Sequence, residues 1–304
     1  MIKIIKAFLS AGVASMALIA AILLLQGTCK SRAIESVAQG QILAYRAPYA
    51  GTQATFYQYL SGKPWSGVVE RYTTQQAKQE QSLNDEVFNI LGINQEQFNQ
   101  YKAEFYPLYL GSQEKQCCQV TARAKKEICE HEPLIFDFLL EHEIDVSSMK
   151  VIPTEDMGIA AATQSNLYID DAAIVDKKKN DLTDLAQADI LHEMQHVLHD
   201  DSFNIFVIKN LLLQHAQSCP TKIKQYKKLL SRFDKFREKR ADILAGLVDP
   251  LYARVSADYY ADQVALGLGD EPCDTHPTPA TRYAYLNQLH KEIDGTINEG
   301  TNNV

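Results

Sequence analysis

The stretch Ile190-Leu191-His192-Glu193-Met194-Gln195-His196-Val197-Leu198 decides how the rest of the chain is read. From Leu185 to Leu198 apolar residues recur at helical spacing, so the segment is expected to be a helix with one buried face. On a helix, positions i and i+4 stand one above the other, which lets His192 and His196 present ring nitrogens to one metal ion at ~2.0 to 2.1 Å. Glu193 then sits beside that ion and is the candidate to take a proton from water, the pattern HExxH of a catalytic zinc centre. The solvated run 177–181 precedes the helix, with Asp181 or Thr183 expected as its N-cap.

A third ligand has to come from further along. Ser202 occupies the place where a third histidine would continue the motif, so a carboxylate is required instead. Between His196 and Asp270 the chain holds one glutamate, Glu238. It lies on a second expected helix whose buried stripe is Phe233, Ala241, Leu244 and Val248, next to the small residues Ala241 and Ala245 that let another helix come close. Asp242, one turn on, is placed to fix the orientation of an imidazole by accepting its N–H, as metal-bound histidines usually require.

His192 to His196, then Glu238-Lys239-Arg240-Ala241-Asp242, then Thr275-His276-Pro277 with Arg282, give the order HExxH, ExxAD, THPxxxxxR. In this the chain resembles the HtpX-like and prenyl-protein-protease-like zinc metallopeptidases, gluzincins, over roughly residues 130–290. The resemblance implies a zincin-like core, one Zn2+ per chain held by His192, His196 and Glu238, Glu193 as general base, and hydrolysis of internal peptide bonds of a protein or peptide substrate. It further implies that the loop bearing His276 lies over the site, with His276 and Arg282 available to a developing oxyanion or to substrate. A competing reading is a chaperone-like or binding protein in which zinc is structural or latent, closed by His276 as a fourth ligand.

Around this centre the expected fold is α+β and mainly helical. Residues 150–153, 158–162 and 166–169 are short apolar runs between polar turn residues, read as a small antiparallel sheet beside the HExxH helix. Residues 34–130 form an N-terminal helical layer, with no chemistry evident over 34–111 and a helical pattern over 95–110, and residues 131–304 form the catalytic region. A break is expected near Pro133, and the basic run 222–240, interleaved with Leu229, Leu230, Phe233 and Phe236, reads as an amphipathic helix with a solvated face.

The first 33 residues read differently. Lys3 and Lys6 precede an apolar run over 7–25, followed by small residues at Ser31 and Ala33. This is the pattern of a secretory signal peptide, and the run is also long enough to stay as a membrane anchor. The expected location is therefore exported, periplasmic or extracellular, with membrane association through residues 7–25 if the segment is retained. The rest of the chain holds five cysteines, Cys117, Cys118, Cys129, Cys219 and Cys273, so at most two internal disulfides and one leftover thiol are expected. On one straight helix Cys118 and Cys129 would be separated by 11 rises of ~1.5 Å, beyond the ~6 Å span of a disulfide.

The chain's 304 residues, 46% hydrophobic and 22% charged, are those of a globular protein. With 30 basic against 38 acidic residues, net −8, its acidic balance argues against a duplex nucleic-acid partner, which a basic face would have to neutralise.

Overall fold

The computed structural model describes residues 45, 47–119, 129, 131–154, 160–163, 166–170, 174–176, 181–268 and 275–301. The described residues from 47 onward form one compact unit. The apolar run over 7–25 lies outside the described residues, among which no helix is long and apolar enough to cross a membrane.

Three helices open the compact unit: α1 (Ala50–Ser61), α2 (Ser66–Leu91) and α3 (Gln95–Gln119). The long α2 buries Val69, Tyr72, Gln76, Leu83 and Val87, a stripe with helical spacing. It ends at Gly92, whose left-handed φ of 66° lets the N–H of Ile93 turn back to the Phe88 carbonyl at 3.1 Å. Asn94 and Gln97 then cap α3 reciprocally, each side chain accepting the other's backbone N–H at 2.9 Å. The expected helix over 95–110 thus starts where its sequence places it and runs on to Gln119 despite Pro107. Pro133 lies in the first turn of α4 (Glu132–Glu141), where its missing N–H costs nothing.

The small sheet follows, with β1 (Lys150–Pro153), β2 (Ala160–Ala162) and β3 (Asn166–Ile169) in the order β1-β3-β2. β2 and β3 are antiparallel as expected, but β1 and β3 run parallel, so the sheet is mixed. The reason is topological: β3 inserts between two strands that already run in opposite directions, and can oppose only one of them. Gly158 and Ile159, part of the expected middle strand, lie outside the described residues. Thr163 N–H donates to the Asn166 carbonyl at 2.8 Å, and ladder alternation then turns the backbone groups of Ala160 and Ala162 toward the free edge of β2. A second pair, β4 (Val175–Asp176) and β5 (Asp181–Leu182), leads into the next helix.

That helix, α5 (Asp184–Leu198), carries the HExxH sequence and is capped by Thr183, whose Oγ1 accepts from Ala186 N–H at 3.2 Å. Ile190, Leu191, Met194 and Leu198 bury its apolar face against the sheet and the later helices. After α6 (Asp201–Ser218) and a short turn comes α7 (Ile223–Val248), basic and half-solvated in its first half and buried from Arg240 to Val248. Phe233, Ala241, Leu244 and Val248 are buried together as the periodicity predicts. Then α8 (Pro250–Ala265) and α9 (Pro279–Thr301) pack against each other and against α7. Gly246 sits at that contact: a Cβ there would lie 2.9 Å from Leu289 Cδ2 and 3.0 Å from Ala253 Cβ. Among the described residues the fold is mainly helical, as expected, with the small sheet beside α5 and a second, two-stranded sheet that the sequence reading did not include.

Of the cysteines, Cys129 is buried and Cys219 makes no disulfide. The side chains of Cys117 and Cys118, and all of Cys273, lie outside the described residues.

Candidate metal centre

Helices α5 and α7 pack face to face, which brings Glu238 to the two histidines. His192 Nε2 and His196 Nε2 stand 3.2 Å apart. Glu238 Oε2 lies 3.4 Å from the first, and its Oε1 lies 3.5 Å from the second. Two donors each ~2.05 Å from a tetrahedral ion are ~3.3 Å apart, so these three separations fit the edges of such a site. His192, His196 and Glu238 therefore form a group that could hold a metal ion.

The neighbours of this group orient it. Asp242 Oδ1 is 2.8 Å from His192 Nδ1, off the axis of a linear hydrogen bond. The same carboxylate accepts from Arg282 Nε at 2.8 Å and Arg282 Nη2, and from the Tyr285 hydroxyl. Arg282 in turn lies over the Tyr260 ring, 4.4 Å from its centroid, and its Nη1 stands 3.9 Å from Glu238 Oε2. On the other side Asp201 Oδ2 pairs with His196 Nδ1 at 2.9 Å, while Asp201 Oδ1 accepts from Arg240 Nη2.

Burial and charge oppose each other here, and charge wins. Burial works against a proton-bearing His192, but the Asp242 carboxylate drives its pKa well above the usual imidazole value. Burial would raise Asp242, yet Arg282 beside it holds its carboxyl far below the carboxylate range. Glu238 is pulled down to about 2 against its own burial, chiefly by His192 and His196. Asp189, one turn before His192 and Glu193, is pushed up to about 6 by burial.

Glu193 follows His192 on α5, and its Oε2 accepts from Ala162 N–H at 2.9 Å, joining α5 to the edge strand β2. His276 is half exposed; its Nε2 is 3.5 Å from Glu238 Oε2, and the Thr275 hydroxyl is 2.8 Å from its Nδ1. The structure thus brings all seven residues singled out from the sequence, His192, Glu193, His196, Glu238, Asp242, His276 and Arg282, into one neighbourhood.

Sequence reading missed others. Asp201 is five residues past His196, after the helix has ended, where helical periodicity no longer places side chains. Tyr285 carried a usable signal: it follows Arg282 by three on α9, so both face Asp242. From residues 34–111, where the sequence shows no chemistry, Tyr57 and Lys102 reach the segment behind His196, and Glu80 reaches Arg240. Their positions are set by helix packing, which a local pattern does not encode.

No family model, curated protein or solved structure matches the chain.

Proposed function

We propose that the chain is an exported zinc metallopeptidase of the HtpX-like kind, with a zincin-like core, that hydrolyses internal peptide bonds of a protein or peptide substrate. One observation carries this reading: two imidazole nitrogens and a carboxylate, from separate helices, converge at separations of 3.2, 3.4 and 3.5 Å. Imidazole and carboxylate donors suit zinc, and three protein ligands with a fourth position open are the pattern of catalytic rather than structural sites. A zinc ion bound there supplies Lewis acidity toward a carbonyl oxygen and makes water acidic near neutral pH.

The chain's own residues supply the rest. Glu193 accepts the proton of the attacking water at a carboxylate oxygen and returns it to the departing amine nitrogen. Ala162 N–H holds that carboxylate in place. An extended peptide pairs with the free edge of β2 through the outward groups of Ala160, which sets its carbonyl against the site. Arg282, fixed by Asp242 and Tyr260, presents positive charge beside Glu238, and the half-exposed His276 offers a second donor next to it; one well-aimed donor is worth ~3 kcal/mol to a developing oxyanion. The basic and apolar leader over residues 3–25 supports export, with membrane association if it is retained.

The test is Glu193→Gln, which keeps shape and removes the base. Hydrolysis is expected to fall at least ~10²-fold while zinc stays bound at wild-type stoichiometry. A variant that cuts at the wild-type rate contradicts the assigned role. A second reading, a latent or structural zinc in a chaperone-like protein, is favoured by the 3.5 Å approach of His276 to Glu238. On that reading the wild type cuts nothing and Glu193→Gln changes nothing.

A further inference from the structure

Behind His196 the chain turns sharply. His199 ends α5, Asp200 takes a left-handed backbone conformation (φ 57°), and Asp201 opens α6. The last of these three holds His196 Nδ1 at 2.9 Å. A different N-terminal helix reaches each of them, α1 and α3 directly and α2 through Arg240. Tyr57 of α1 lies 2.8 Å from His199 Nε2, and His199 Nδ1 lies 2.8 Å from the Gln195 carbonyl. A carbonyl only accepts, so Nδ1 carries the proton and Tyr57 donates to Nε2. Lys102 of α3 places Nζ 3.6 Å from Asp200 Oδ2. Glu80 of α2 stands 3.0 Å from Arg240 Nη1, and the same guanidinium donates through Nη2 to Asp201 Oδ1.

The chemistry of these contacts is that of orientation. A non-glycine residue in the left-handed region persists only where its surroundings hold it there. Buried ion pairs such as Asp201 with Arg240 contribute little net stability, and their best-attested use is to select one arrangement. Burial also pushes His199 down to about 3, so its ring stays neutral and its acceptor nitrogen is always available to Tyr57.

We infer that the N-terminal helical layer is part of the metal centre: Tyr57, Glu80 and Lys102 are positioning residues that lock the 199–201 elbow and, through Asp201, set the orientation of the His196 ring. The inference rests on the metal-binding reading above, because only a ligand's orientation gives the elbow a chemical consequence.

The experiment uses the full chain and two readouts: zinc affinity by chelator competition, and the visible spectrum of the cobalt-substituted protein at saturating cobalt. A merely structural role leaves the saturated spectrum unchanged. Asp201→Asn is expected to lower zinc affinity by ~10- to 100-fold, and Glu80→Gln by roughly 3- to 10-fold. If Glu80 acts through Arg240 and Asp201, the double variant binds no more weakly than Asp201→Asn alone. Glu80→Gln and Tyr57→Phe, both conservative and in well-folded protein by circular dichroism, shift the cobalt bands. Wild-type affinity and spectrum in those two variants would overturn the inference, as would losses from Glu80→Gln and Asp201→Asn that multiply. Should Asp201→Asn not fold, the cobalt spectra of the other two decide. A wild-type chain that takes up neither metal removes the metal reading itself, an outcome distinct from zinc bound equally well by every variant.

Discussion

Asp242 shows most clearly how single side chains set the state of the site. It faces His192, two guanidinium nitrogens of Arg282 and the Tyr285 hydroxyl, and so carries its charge in a buried place. A carboxyl whose folded pKa lies below its unfolded value stabilises the fold above the unfolded value, and that contribution fades as pH falls through the folded one. Asp242, Asp201 and Glu238 are all of this kind, Glu238 moving from 4.5 to about 2. The metal-free protein should therefore lose stability progressively below about pH 4.5, measured as the urea midpoint against pH. Asp242→Asn should cost ~3 kcal/mol at neutral pH, because Arg282 is left without its counter-charge, and should flatten the acid limb. An unchanged acid limb would mean that Asp242 is not held low. The sequence made Asp242 visible because it stands one turn from Glu238 on the same helix. Asp201 was not visible because it lies past the end of the His196 helix, and Arg240 and Tyr57 were not because their partners come from helices far away in the chain.

At the scale of elements, the two helices of the candidate centre were legible and the frame around them less so. α5 announces itself by Thr183, its apolar spacing and the two histidines, and the stripe of α7 by Phe233, Ala241, Leu244 and Val248. Within the expected helical layer α2 was not picked out as a separate helix, because its buried face includes Gln76 where an apolar residue would have completed the pattern. Strand direction was illegible for a different reason: β1, β2 and β3 are three or four residues long, and alternation within so short a run says nothing about which neighbour it will pair with. The junction of α7, α8 and α9 depends on Gly246. A side chain there meets the flexible end of Leu289 and the backbone-fixed Cβ of Ala253. Gly246→Val should destabilise the protein by ~2 kcal/mol or more, overpacking outweighing any gain in helix propensity, with a matching drop in the thermal midpoint. A neutral or stabilised variant would show that these helices can move apart freely.

Over the whole molecule, the chain holds its seven candidate site residues on four separate pieces: α5, α7, the loop before α9, and α9 itself. None of these elements makes a site alone; β2 supplies an amide to Glu193, and the N-terminal helices brace the elbow behind His196. The weight of the account falls on α5 meeting α7 so that Glu238 joins His192 and His196. Zinc content of the purified full chain, measured beside that of Glu238→Ala, tests this most directly. One zinc per chain in the wild type, with most of it lost from a folded Glu238→Ala protein, is the expected result; full zinc occupancy in the variant, or none in the wild type, would contradict it.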